Sequence, residues 1–122
     1  MLVKTSELVG RPLDWAVAKC EGKDAYCEIH AGNILYGQVR SGFVQFRPST
    51  DWAQGGPIIE REKISTGYER YGALGSVIWD AVLKKANGGI VLEYGPTLLT
   101  AVMRCYVASK LGNEVNIPED LL

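Results

Sequence analysis

The sequence predicts an α+β domain in which a mainly antiparallel sheet packs with about three helices. Helical periodicity occurs near both ends of the chain, and short β-rich runs of alternating apolar residues lie between them. The chain has 122 residues, of which 47% are hydrophobic and 22% are charged, and these values are typical of one globular domain. Because no repeat, linker or low-complexity tract divides the chain, we predict a single domain over residues 1–122.

The first helix is predicted over residues 11–21. Pro12 suits the first turn, where its missing N–H group would have no helical partner, and Gly22 provides a left-handed stop. One face of this segment is apolar, with helical spacing: Leu13, Ala16, Val17 and Cys20.

Three antiparallel strands are predicted next, at residues 25–30, 34–40 and 43–47. Each is a short β-rich run, and glycine-containing turns separate the runs. Pro48 ends this group of strands.

A second helix is predicted from a cap at Ser49 or Thr50 through Glu62. Three poor helix formers interrupt this segment: Gly55, Gly56 and Pro57. The sequence therefore leaves two alternatives for residues 51–62, namely one kinked helix or a turn followed by a helix that starts at Pro57.

Residues 76–86 fit two structures. Residues 80–86 have helical propensity, but apolar side chains alternate from Val77 to Leu83. The turn at residues 87–89, Asn-Gly-Gly, is followed by a β-rich run at 90–94. We favour a strand pair over a helix.

The last helix is predicted over residues 97–111 and is closed by Gly112. Its polar stripe is narrow and consists of Thr97, Thr100 and Arg104, while apolar side chains cover nearly everything else. Such a helix must be covered on two faces. It lies either deep in the fold or against another subunit.

Charge and hydropathy exclude several classes of protein. Thirteen Lys and Arg residues against fourteen Asp and Glu give a net charge of −1, which argues against a protein built mainly to coat nucleic acid or an anionic membrane. No apolar run approaches the roughly 20 residues of a bilayer span. Residues 1–8 lack the pattern of a signal peptide, and three cysteines do not make a disulfide framework. We therefore expect a cytoplasmic protein without a membrane partner.

The sequence contains no constellation that predicts catalysis, a metal site or a cofactor. Cys27 and His30 have no second pair at zinc-like spacing, and on a strand they would face opposite sides. Cys20 and Cys105 lie on apolar helical faces, as small core residues do. We predict no catalytic residue, no metal and no cofactor, and a non-enzymatic function is favoured over an enzymatic one.

The segment from Ser49 to Glu62 is the strongest candidate for a partner or ligand surface, because it combines a loop tryptophan, adjacent glycines and carboxylates. The structural alternative is a cap and a tight turn with Trp52 packed inward. Arg104 is expected to pair with Asp51, Glu60 or Glu62, or to contact a ligand. The candidate surface comprises Asp51, Trp52, Gln54, Glu60, Arg61 and Arg104.

Residues 42–46, Gly-Phe-Val-Gln-Phe, resemble half of an RNA-recognition strand motif. In that motif, aromatic faces stack on bases. Ser41 stands where another aromatic residue is expected, and the predicted order of elements differs. Nucleic-acid binding through Tyr36, Phe43 and Phe46 is therefore a less favoured alternative.

Three segments together resemble the NinX-like family of lambdoid and related enterobacterial phages and prophages. They are residues 4–22 (KTSELVGRPLDWAVAKCEG), 48–62 (PSTDWAQGGPIIERE) and 95–112 (GPTLLTAVMRCYVASKLG). The likeness runs from near residue 2 to the end, and it departs from the family mainly at 63–92 and at Leu98-Leu99. The resemblance implies an α/β/α sandwich with the sheet between helical layers, and a strand at 79–81. It transfers no catalytic residues.

The sequence thus favours a non-enzymatic phage accessory protein that binds another host or phage protein and forms a homo-oligomer. Two alternatives remain, a nucleic-acid-associated factor and a ligand binder or enzyme with a pocket near Trp52, Glu60 and Arg104.

Overall fold

The computed structural model describes residues 1–22, 27–30, 33–39, 42–71 and 75–122, with the backbone alone for residues 27–44. The helices in this part of the chain are α1 (Gly10–Cys20), α2 (Trp52–Glu62) and α3 (Leu98–Leu111). Its strands are β1 (Leu2–Lys4), β2 (Cys27–His30), β3 (Asn33–Val39), β4 (Gly42–Gln45), β5 (Ser65–Tyr71), β6 (Ser76–Lys84), β7 (Ile90–Gly95) and β8 (Glu114–Asn116).

All strand pairs in the described residues are antiparallel, so the predicted α+β class is confirmed. One sheet has the order β2-β3-β4, a second has the order β5-β6-β7, and β1 pairs with β8 near the two chain ends. The three strands predicted within residues 25–47 are confirmed where the chain is described. The predicted strand pair is β6 and β7, and the analysis of the sequence missed β5, β1 and β8.

The first and last helices are confirmed to within a residue. At the C-terminal end of α1, Gly22 has φ +71°, the left-handed conformation that glycine adopts without steric cost. At the N-terminal end of α3, the Thr97 side chain accepts a hydrogen bond from the Thr100 amide at 3.1 Å. No helix in the described residues is both long and apolar enough to cross a bilayer.

Helix α2 is one continuous helix that contains Pro57, which decides between the two alternatives for this segment. Its cap is Asp51, whose carboxylate accepts a hydrogen bond from the Ala53 amide at 2.9 Å. The predicted cap at Ser49 or Thr50 was wrong, because residues 48–50 form a turn before the helix. The Ser49 amide instead donates to the Asp14 carboxylate of α1 at 2.8 Å.

Gly55 lets α2 approach its neighbours closely. A Cβ at this position would lie 2.6 Å from the Pro48 carbonyl oxygen and 2.8 Å from Cδ2 of Leu99 on α3. These distances are shorter than any side chain tolerates, so glycine here is required by packing. A Cβ at the next position, Gly56, would meet nothing within 4 Å.

Helix α3 is the central layer of the structure. Its Ala101 backbone lies against Gly95 of β7, and the Cys105 thiol donates to the Val91 carbonyl at 3.4 Å. On the opposite side, α3 contacts α1 and α2, and nine of its fourteen residues are buried.

In the described residues, strands contact one side of α3 and helices contact the other side. The helix has apolar residues nearly all round, and it is covered on both sides. Of the two explanations for its composition, the structure supports burial within the chain.

Asp14 is the one carboxyl group that is buried in the described residues, and it lies between α1 and the turn before α2. Asp14 is 3% exposed, and this burial raises the pKa of its carboxyl group to about 6, against the lowering effects of its hydrogen bonds from Ser49 and of the Arg47 charge. Burial favours the neutral acid because a low-dielectric surrounding penalises the charged form.

The two adjacent glycines of α2 provide a matched test of close packing. Gly55→Ala should lower the free energy of unfolding by about 1–3 kcal/mol, because the added methyl group overpacks the contact with Pro48 and Leu99. Gly56→Ala should raise it by about 0.5–1 kcal/mol, because alanine is the better helix former where space is open. Urea denaturation of both variants measures the difference, and equal effects would contradict the packing argument.

The Asp14 carboxyl group should make stability depend on pH. Its folded-state pKa lies above the unfolded value, so its contribution is fully present below about pH 4 and is lost as the pH rises through about 6. We expect Asp14→Asn, which keeps an acceptor for the Ser49 amide, to flatten this decline and to be more stable than the original chain at pH 8. Denaturation at pH 4 and pH 8 measures both, and an unchanged pH profile would contradict the assignment.

Candidate functional site

The side of the β5-β6-β7 sheet that faces away from α3, here called the outer face, carries a row of exposed apolar side chains on β7. On β7, Ile90 is 66% exposed, Leu92 is 47% exposed and Tyr94 is 44% exposed. Ile78 and Val82 of β6 lie beside them and are half-buried. A half-solvated antiparallel sheet normally turns polar residues outward, so this face is unusual.

Strand alternation explains which side chains reach this face. The α3 side of the sheet takes Ala81 and Leu83, which are buried, and successive residues point to the other side. Val82 is opposite Leu92, and Asp80 is opposite Tyr94, so these pairs share the outer face.

Beta strand β7 carries its charge inward rather than outward. Glu93 is half-buried on the α3 side, where burial raises the pKa of its carboxyl group and the nearby Arg104 charge lowers it. The continuous run Ile90-Val91-Leu92-Glu93-Tyr94 contained the signal for this surface, because a strand with apolar residues at successive positions presents them on both faces. From the sequence alone, this run predicted only a strand.

Arg104 holds backbone segments together rather than pairing with a carboxylate of α2. It donates to the Leu8 carbonyl and to the Tyr94 carbonyl, each at 2.8 Å. The predicted pairs with Asp51, Glu60 and Glu62 were wrong. Burial lowers the pKa of the guanidinium, and the Glu93 charge opposes that shift.

The charged side chains of the outer face are separated along the strands. Asp80 lies over Gly67 of β5, where a Cβ would be 3.2 Å from its carboxylate oxygens. Glu69 is opposite Ile78, two residue pairs beyond Gly67 and Asp80. Lys84, opposite Ile90, lies at the other end. The two carboxylates therefore lie toward the Ser76 end of β6 and Lys84 lies at the other end, with Val82 and Leu92 between Asp80 and Lys84.

The predicted candidate surface on α2 is not gathered into one site. Asp51 caps the helix, and Gln54 bridges the Gln45 carbonyl and the Arg47 amide at 2.8 Å each. Trp52 is exposed and lines a groove of about 290 Å³ with residues of the α3 N-terminus. Glu60 is also exposed, but it does not line that groove.

Arg61 connects all three helices. Its guanidinium donates to both Glu21 oxygens, at 3.1 and 2.6 Å, and to the Tyr106 hydroxyl at 3.2 Å. Tyr106 also donates to Glu21 at 2.5 Å. Burial, followed by the Glu21 contact, raises the pKa of Tyr106, and hydrogen bonds to Glu21 and Glu62 raise the pKa of Arg61. This network has a structural role.

Burial limits the chemistry that Cys20, Cys105 and Phe46 can perform. Burial raises the pKa of the Cys20 and Cys105 thiols to about 12, so both are protonated and weakly nucleophilic at neutral pH. Phe46 is 4% exposed and packs in the core, so it offers no ring face to a base. The side chains of Cys27, His30, Tyr36 and Phe43 lie outside those described.

Comparison with known proteins identifies the family. The family described as Bacteriophage P22, NinX matches residues 4–110, which is most of the chain. A search of curated proteins finds no match. The matched region includes all three helices apart from the last residue of α3, and the whole β5-β6-β7 sheet with its apolar outer face. The chain belongs to the phage NinX family.

Proposed function

We propose that this phage accessory protein is a non-enzymatic protein-binding module that acts through the outer face of the β5-β6-β7 sheet, and that the outer face binds a second copy of the chain. The observation that carries the proposal is the exposure of Ile90, Leu92 and Tyr94 side by side on one strand. Burial of apolar surface is the main driving force of protein association.

Within the described part of the chain, no helix covers the outer face. Helix α3 takes the opposite face of the sheet, and α1 and α2 contact α3. Among the described residues, the outer-face side chains of β7 are all exposed. Association would remove them from water without disturbing the core.

The arrangement of charge supports a second copy as the occupant. A two-fold axis that lies between two stacked sheets, runs perpendicular to their strands and passes near Val82 places the Lys84 end of β6 in each copy over the part of the other copy's face that carries Asp80. Lys84 of one copy would then approach Asp80 of the other. Such a self-complementary surface closes a dimer, as most two-fold oligomers do.

The size of the face predicts weak association. Three strands spaced 4.8 Å apart and about eight residues long span roughly 14 by 26 Å. That is less than the ~800 Å² per partner of a standard stable interface. We therefore expect a dimer that forms only as the protein concentration rises.

Leu92→Asp should abolish self-association, because it places a charge in the apolar middle of the outer face. Leu2→Asp is the matched control: Leu2 is 63% exposed on β1, away from the sheet. Sedimentation velocity over a range of concentrations measures the mass. The original chain and Leu2→Asp should approach a dimer, whereas Leu92→Asp should stay monomeric with unchanged thermal stability.

Two outcomes would overturn the proposal. The first is an original chain that is monomeric at every concentration, because the proposed dimer would then not form. A Leu92→Asp variant that dimerises as the original chain does would exclude the outer face as the interface.

A further inference from the structure

A second surface, which borders the outer face at Val82 and Lys84, lies where the C-terminal ends of α2 and α3 meet the end of β6. It is a cleft of about 740 Å³, within the roughly 300–1,000 Å³ range of ligand sites. Its lining includes five cationic side chains and one carboxylate, Glu62. The cationic residues are Arg61, Lys63, Lys84, Lys85 and Lys110.

Four of these charges are not neutralised by an ion pair. Arg61 is bound to Glu21 and Glu62, whereas none of the three salt bridges in the described part of the chain includes a lysine of the cleft. The whole protein has a net charge of −1, so the cleft is a local concentration of positive charge in a nearly neutral molecule. Clefts lined by one sign of charge focus the electrostatic field on a ligand of opposite sign.

Helix ends account for only part of this cluster. Lys63 and Lys110 stand at the C-terminal ends of α2 and α3, where cations are favoured by the partial negative charge of the free carbonyls. Lys84 and Lys85 come instead from the end of β6 and the turn after it, so the partial charge of a helix end does not explain their positions. Four lysines from three elements converge on one space.

We propose that this lysine cleft binds the phosphate backbone of nucleic acid without reading its sequence. Lysine ammonium groups are compact point charges that bind phosphate, whereas base recognition relies on stacking and on bidentate contacts. No aromatic side chain lines the cleft in the described residues, so it offers no platform for bases. The site differs from the sheet aromatics that the sequence suggested.

A triple variant, K63Q/K85Q/K110Q, tests the cleft. The three lysines are exposed, so we expect the fold and the thermal stability to be unchanged. The matched control, K4Q/K19Q/R70Q, removes the same charge from exposed positions outside the cleft. Fluorescence anisotropy with a labelled single-stranded oligonucleotide and with its duplex is measured over a series of salt concentrations.

The original chain should bind at low salt, and its affinity should fall steeply as salt increases. Removing three phosphate contacts should reduce the slope of log affinity against log salt by about 2 on single strands. At low salt, the cleft variant should bind at least roughly tenfold more weakly, whereas the control should lose much less. Binding of either oligonucleotide with this dependence supports the proposal.

Three results would overturn the proposal. They are absence of oligonucleotide binding by the original chain at low salt, equal losses in the cleft variant and the control, and binding of free nucleotides or inorganic phosphate without binding of either oligonucleotide. The Leu92→Asp variant changes no residue that lines the cleft, so oligonucleotide binding that persists in this variant shows that the cleft acts without self-association.

Discussion

The burial of α3 on two opposite sides is the constraint on which the rest of the structure depends. A helix with apolar side chains nearly all round is stable only if two other layers cover it. The β6 and β7 strands cover one side, and α1 and α2 cover the other. Gly55 and Gly95 permit these approaches, because at each position a Cβ would collide with α3. Hydrogen bonds also connect α3 to the elements that cover it. Arg104 of α3 donates to the Leu8 and Tyr94 carbonyls, and Arg61 of α2 donates to the Tyr106 hydroxyl of α3.

The apolar outer face of the β5-β6-β7 sheet is a consequence of that constraint. Because α3 occupies one face of the β5-β6-β7 sheet, the other face has no covering element in the described residues. The same alternation that turns Glu93 toward Arg104 turns Leu92 and Tyr94 outward. The inward position of Glu93 and the outward positions of Leu92 and Tyr94 therefore follow from the same strand alternation of β7. Protein association through this face is the role that we propose for this protein.

The sequence predicted the elements that depend on local signals. Helical spacing located α1 and α3, and the Asn-Gly-Gly turn located the hairpin of β6 and β7. Strand β5 was missed because its residues, Ser-Thr-Gly-Tyr-Glu-Arg-Tyr, lack apolar alternation. The partners of Arg104 could not be predicted, because they are backbone carbonyls brought close only by the tertiary fold. The outer face was equally inaccessible, since it exists only once α3 has taken the other side of the sheet.

Hydrogen exchange at low and high protein concentration tests whether elements of the same chain cover both sides of α3. If they do, the α3 amides should exchange most slowly, and their protection should be the same at both concentrations. Amides of β7 should gain protection only at high concentration, as the outer faces associate. The opposite result would be weak protection of the α3 amides in dilute protein and strong protection after association. It would contradict burial of α3 within its own chain, because another subunit would then cover one side of the helix.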